Sequence, residues 1–247
     1  MLTIDHLTAG YGKLQILHEI SLTVDAEQFV AVLGPNGSGK STLLKSIFGL
    51  TDYFGGDVQF QGQSLIGKAT ETIGKAGIAY VPQRQNVFAS MTVRENLLLS
   101  LRHQPKVESE RSLFAVRDLF PILADRQGQR AGQLSGGERQ MLAIAIGWLA
   151  RPQLMLLDEP SAGLSPLFVT EVFRTLQTLS RSGITLVVVE QNARSVLRWC
   201  DHAFVLREGQ VVFGGSSEEI LADEETIKGY LGVAASGGRR TMDEGRT

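Results

Sequence analysis

One stretch constrains this chain more than any other: Gly34-Pro35-Asn36-Gly37-Ser38-Gly39-Lys40-Ser41-Thr42, set between the apolar run Phe29 to Leu33 and the continuation Leu43-Leu44-Lys45-Ser46-Ile47. The glycines let successive backbone N–H groups turn inward around phosphate oxygens, and the start of the following helix adds partial positive charge. At this spacing Lys40 reaches the β and γ phosphates of a nucleotide, and Ser41 can ligate Mg²⁺. A glycine-rich turn without chemistry is the competing reading, yet the pattern arises by chance in only roughly one chain in a hundred of this length. Strand, turn and helix together point to a nucleotide-binding α/β core.

Further apolar runs bounded by turn residues agree with that core: Ile78 to Val81, Leu154 to Leu157 and Leu186 to Val189. Their apolarity is continuous rather than alternating, which predicts strands buried on both faces of a parallel sheet. Leu14 to Val24, Val58 to Phe60 and Ala203 to Phe213, with its Glu208-Gly209 turn, read as antiparallel strands and hairpins flanking the core. From Gln83 to Gly132 the period changes to a helical one (Val93, Leu97, Leu101; Leu113, Val116, Phe120), which predicts a mostly helical insertion. Residues 234–247 carry glycines and charges without an apolar period, so a mobile tail is expected there.

Composition removes several function classes. In 247 residues, 24 Lys+Arg against 26 Asp+Glu leave a formal net charge of −2, so no broad basic field exists to hold a nucleic acid. The single cysteine, Cys200, cannot form an internal disulfide, and Met1 to His6 lack the basic-then-apolar layout of a secretion signal. A reducing cytoplasmic setting is the expectation. The longest apolar stretch, Met141 to Ala150, is far short of the roughly 20 residues that span a bilayer. Any membrane role is therefore expected to come through a partner.

Two further motifs carry chemistry. Leu154 to Leu157 leads into Asp158-Glu159, at the strand end where open α/β sheets bind their ligands. Beside a phosphate loop, the first carboxylate fits a metal ligand and the second fits the group that polarises an attacking water. Alone, such a pair is more often a solvated strand end. Leu134-Ser135-Gly136-Gly137-Glu138-Arg139-Gln140 precedes the helical run Met141 to Leu149, and Ser135 with Glu138 forms a capping box, the plain reading of this segment. Two glycines in a first turn exceed what a helix start needs, each costing about 1 kcal/mol against alanine in a helix interior. Bare backbone there suits close approach of an anionic group.

Together these motifs resemble the ATP-binding cassette (ABC) superfamily: the phosphate loop at Gly34 to Thr42, the signature motif at Leu134 to Gln140, and Asp158-Glu159 closing the second nucleotide motif. The resemblance runs from about Leu2 to Gly232. It implies an α/β P-loop NTPase fold with a parallel-sheet core, an antiparallel β subdomain and a helical insertion at about 84–150, in a cassette over 1–233. It implies ATP as substrate with Mg²⁺, Glu159 as catalytic carboxylate, and Ser41, Gln83 and Asp158 around the metal. Tyr11 is implied to stack on adenine, and Ser135, Gly136 and Gly137, with Glu138 beside them, to meet the γ-phosphate held by an opposing subunit. The partners implied are a second cassette, identical or paralogous, and membrane permeases fed by a solute-binding protein, with the cassette peripheral on the cytoplasmic face.

Two positions depart from the superfamily pattern. Ser165 stands where an Asp is usual after the second carboxylate, and Gln191 stands where a histidine usually follows the last buried strand. An amide still donates and accepts hydrogen bonds, so Gln191 is expected to sense the γ-phosphate, but it cannot carry a proton as imidazole does. Glu190-Gln191-Asn192-Ala193, Asn86-Val87-Phe88 before Met91-Thr92-Val93, and Gly229-Tyr230-Leu231-Gly232 are similar to ATPase subunits of branched-chain and neutral amino-acid importers. Urea importers share much of this pattern, and a soluble cassette of the iron–sulfur assembly type is a further alternative. Val87, Phe88 and Met91 read equally as a permease-docking surface or as packing beneath the insertion.

Overall fold

The computed structural model describes residues 1–102 and 105–222, and the tail expected at 234–247 lies outside the described residues. The chain opens with β1 (Leu2–Tyr11) and β2 (Leu14–Val24), an antiparallel pair in which Leu2 faces Val24 and Tyr11 faces Leu14. The first strand was not among those expected: register shifts after Ile4 and Leu7 blur its alternation. Next come β3 (Phe29–Leu33), α1 (Lys40–Ile47), β4 (Asp52–Phe60), the short β5 (Gln63–Ser64), α2 (Thr70–Lys75) and β6 (Ile78–Val81). The expected Val58 to Phe60 is thus only the buried end of a longer strand.

The helical insertion contains α3 (Val93–Ser100), α4 (Lys106–Leu119) and α5 (Pro121–Ala124), then a 3₁₀ turn at Ala131–Gln133 and α6 (Gly136–Leu149). Thr92 and Glu95 form a reciprocal capping box that starts α3, as Ser135 and Glu138 do for α6. The chain then runs through β7 (Leu154–Asp158), α7 (Pro166–Arg181), β8 (Thr185–Glu190), α8 (Ala193–Val196), β9 (His202–Arg207), β10 (Gln210–Ser216) and α9 (Ser217–Ala222).

Two sheets result. The smaller is antiparallel in the order β2-β1-β4-β5, and the larger has the order β10-β9-β3-β8-β7-β6. The turn at Glu208-Gly209 joins an antiparallel pair as expected, but β9 also pairs in parallel with β3, so this hairpin belongs to the main sheet and not to the flank. Five strands of that sheet, β9, β3, β8, β7 and β6, are mutually parallel.

The continuous apolar strands divide between two cores. Phe29, Ala31 and Leu33 face the helical insertion and α7, whereas Val30 and Val32 face α1 and the antiparallel sheet. Met155 and Leu157 of β7 share the first core, and Leu154 and Leu156 the second. Burial on both faces demands this composition, at roughly 1.5–3 kcal/mol for each fully buried large aliphatic side chain. Helix α6 lies close under the sheet: a Cβ on Gly147 would come within 2.9 Å of Val81 and 3.1 Å of Met155. No helix among the described residues is long and apolar enough to cross a membrane.

Candidate active site

Parallel strands point the same way, so the carboxyl ends of β3, β6, β7 and β8 deliver four segments to one edge of the sheet. From β3 comes the phosphate loop. Gly39, at φ 102°, is the residue from which α1 starts, a backbone conformation costly for any side chain with a Cβ. Lys40, only 4% exposed, donates from Nζ to the carbonyls of Gly34 at 2.9 Å and Pro35 at 3.0 Å, which closes the loop on its own ammonium. Ser38 Oγ is buried without a hydrogen-bond partner.

Asp158 and Glu159, at the end of β7, have separate surroundings. The Ser41 hydroxyl donates to Asp158 Oδ1 at 2.8 Å, and the Tyr80 hydroxyl, from β6, donates to Oδ2 at 3.2 Å. Burial and the Asp158 charge both push the Tyr80 phenol above its ordinary pKa, so it remains a donor at neutral pH. Glu159 leaves the strand at φ 44°, in the left-handed region, with its N–H donated to Val189 O at 3.0 Å. Its Oε2 accepts from Gln83 Nε2 at 2.7 Å, and its Oε1 lies 3.6 Å from Lys40 Nζ. The carboxylate is thereby suspended between an amide and an ammonium.

Lys40, Ser41, Gln83 and Glu159 border a cavity of about 660 Å³, whereas Asp158 and Tyr80 are not on its wall and join it only through the Ser41 hydroxyl. Its wall contains Asn36, Gly37 and Gly39 to Thr42 from the phosphate loop. Tyr11, Gln83, Glu159 and Gln191 line the same wall, so the four flanking candidates meet at one cavity. Tyr11, half exposed at the end of β1, has Lys45 Nζ 6.0 Å from its ring centroid. Gly34, Pro35 and Ser38 shape the loop from behind and do not line the cavity.

The signature segment lies elsewhere. Ser135, Gly136, Gly137 and Glu138 are absent from the cavity wall, so one chain does not bring them to its own phosphate loop. Ser135 N donates to Glu138 Oε2 at 2.7 Å, and Arg126 holds Glu138 Oε1 at 2.8 Å. The two glycines prove unequal. A Cβ on Gly136 would meet only Leu164 Cδ2 at 3.6 Å, whereas one on Gly137 would run into the ring of Phe168 from α7. Packing, and not anion approach alone, demands the second glycine.

A family model described as ABC transporter matches residues 17–162. The chain belongs to the ABC transporter family. It is an ATPase of that family, with a nucleotide-binding cassette fold. Among curated relatives, a high-affinity branched-chain amino acid transport ATP-binding protein of Pseudomonas aeruginosa, BraG, is 39% identical over 94% of this chain and 100% of its own length. A probable counterpart from Archaeoglobus fulgidus, LivF, is 42% identical over 94% of this chain and 99% of its own. A lipopolysaccharide export ATP-binding protein of Escherichia coli is 32% identical over 94% of this chain and 97% of its own. A solved nucleotide-free cassette superposes with a TM-score of 0.83 at 26% identity, covering 95% of this chain and 99% of that one.

In this cassette Gln191 follows directly on β8 and lines the cavity. Ser165 precedes α7 without donating or accepting a capping bond from its side chain, while Pro166 occupies the first helical turn. Tyr80 and Glu190 were not among the expected site residues. Both sit on apolar strands, where a lone polar residue is easily taken for a strand terminus or a wall. Glu190 in an otherwise aliphatic run was the available signal, since a buried carboxylate requires a partner. Arg84, which lines the cavity beside Gln83, carried none.

Proposed function

We propose that this ABC ATPase powers uptake of branched-chain or neutral amino acids through separate membrane permeases. The observation that carries the chemistry is the suspension of the Glu159 carboxylate between Gln83 and Lys40 at the cavity wall. There Glu159 orients a water and accepts its proton as the water attacks the γ-phosphate of ATP, while Lys40 stabilises charge developing on the phosphoryl oxygens. Lys40 exchanges its bonds to Gly34 and Pro35 for phosphate oxygens. Tyr11 stacks on adenine, and Gln191 hydrogen-bonds the γ-phosphate.

Ser41, Asp158 and Gln83 are oxygen donors of the hard kind that Mg²⁺ takes, and Ser41 and Asp158 already stand at 2.8 Å from one another. Bound there, Mg²⁺ would neutralise charge on the β and γ phosphates. Because Ser135, Gly136 and Gly137 do not reach the cavity of their own chain, a head-to-tail pair of cassettes completes two sites, each phosphate loop facing the opposing signature segment. ATP then closes the pair, and hydrolysis reopens it.

Support for the solute comes from two relatives over nearly full length whose names state branched-chain amino acid transport. For the docking surface, Phe88 is 62% exposed while Val87 packs against the core, which divides the expected apolar segment between the two readings. The test is copurification with polytopic permease subunits, followed by ATP-driven uptake of labelled leucine into proteoliposomes that contain them with their binding protein. Leucine uptake that Glu159→Gln abolishes is the expected result. Uptake of urea alone, or a cassette that purifies without a permease and serves cluster assembly, would overturn the assignment.

A further inference from the structure

The last residue of β8 is out of character with its strand. Thr185-Leu186-Val187-Val188-Val189 is followed by Glu190, which is 2% exposed and stands opposite Leu33 of β3. A carboxylate there is costly unless its oxygens are bonded. Its Oε1 accepts from the backbone N–H of Ser161 at 2.9 Å. One residue earlier, Val189 O accepts from Glu159 N at 3.0 Å. Ala162 N closes the turn onto Glu159 O at 3.1 Å. The turn that begins at Glu159 is therefore fastened to the end of β8 at two successive points, one by backbone and one by the Glu190 side chain.

Glu159 needs such fastening. Its φ of 44° is a conformation that a residue with a Cβ keeps only when its surroundings over-determine it. Bonded at its own N–H and again two residues on, the turn holds that conformation while the side chain reaches Gln83 and Lys40. The charged group facing Glu190 is Glu159 itself, with Lys40 3.6 Å beyond it, and Leu33 across the strand pair is apolar.

We propose that Glu190 is a positioning residue for hydrolysis: by accepting the Ser161 N–H it holds the Glu159 turn in the conformation that aims the Glu159 carboxylate at the cavity. It acts through Glu159 and does not itself meet nucleotide. The role rests on the reading of Glu159 as the group that activates water.

Two variants separate this role from simple packing. Glu190→Gln keeps an oxygen that accepts the Ser161 N–H, and Glu190→Met keeps length and suits burial but removes the acceptor. In the full-length protein, Glu190→Met should lower ATPase kcat by about tenfold or more, with KM and the Kd of a fluorescent ATP analogue changed by less than about twofold. Glu190→Gln should stay within about threefold of wild type. Amide hydrogen exchange at Ser161 gives a readout independent of turnover: it should quicken by about tenfold in Glu190→Met and stay protected in Glu190→Gln. A Glu190→Met protein with wild-type kcat, a Glu190→Gln protein as slow as Glu190→Met, or unchanged exchange at Ser161 in Glu190→Met would each overturn the proposal. Glu159→Gln run in parallel keeps the two readings apart: if it hydrolyses normally the assignment of Glu159 fails, while the exchange result still reports on the Glu190 bond.

Discussion

Gln83 donates its side-chain amide to Glu159 Oε2 at 2.7 Å, joining the segment that enters the helical insertion to the carboxylate at the end of β7. Any displacement of the insertion that moves Gln83 is therefore felt at Glu159 without an intermediary. Under the proposed function, this bond links the insertion, where a permease would dock, directly to the carboxylate that activates water.

Glu159→Gln should retain ATP binding, because Lys40, Ser41 and Asp158 are untouched, and should slow hydrolysis by about 100-fold or more, the scale of losing a general base. Nucleotide titration and steady-state phosphate release check both halves. Near wild-type release from the variant would show that the water is activated elsewhere.

The two signature glycines should separate stability from function. Gly137→Ala has to displace the Phe168 ring and should destabilise the protein by about 1–3 kcal/mol, part of it recovered by Phe168→Ala in the same chain. Gly136→Ala has room, so it should melt like wild type yet impair ATP-driven pairing of cassettes. Urea melts, with ATP-dependent dimerisation measured on the Glu159→Gln background, supply the comparison. Equal melts for both alanine variants would contradict the packing argument.

Gln191→Ala should raise the hydrolysis barrier by about 1–3 kcal/mol, the scale of a hydrogen bond to a charged group, with a smaller loss of ATP affinity. An amide does not titrate near neutrality, so the fractional loss should be the same from about pH 6 to 9. Turnover measured across that range with permeases present checks it, and unchanged turnover at every pH would remove Gln191 from the site.

Burial, and to a smaller extent the neighbouring Glu159, push the Glu190 carboxyl up to about 7, while the side chain and N–H of Ser161, and more weakly the N–H of Gln191, hold it down. The folded protein then binds this proton more tightly than the unfolded chain. Its contribution to stability is full below about pH 4.5 and is lost as pH rises to about 7, amounting to on the order of 3 kcal/mol. Urea melts of nucleotide-free wild type and Glu190→Gln should diverge in favour of the variant across that window and run parallel above it. A difference independent of pH would mean that Glu190 does not titrate there.

The phosphate loop, the Asp158-Glu159 strand end and the capping box at Ser135 were legible because each is a local rule written in consecutive residues. The doubly buried strands were legible for the same reason: a strand covered on both faces has no polar alternation to show, as Phe29 to Leu33 illustrates. The family pattern likewise pointed to Gln191, and the structure places it at the cavity. What no stretch of sequence contains is which ends meet. That Ser161 bonds to Glu190 and Tyr80 to Asp158 depends on strand order in a sheet whose neighbours are far apart in the chain, and that Gly137 lies against Phe168 depends on how α6 packs on α7. Strand order also moved the hairpin of β9 and β10 from the flank to the main sheet, through the pairing of β9 with β3. Hydrogen bonds and packing act over a few ångströms of space regardless of separation along the chain, so local pattern determined the motifs and the tertiary structure alone decided their partners.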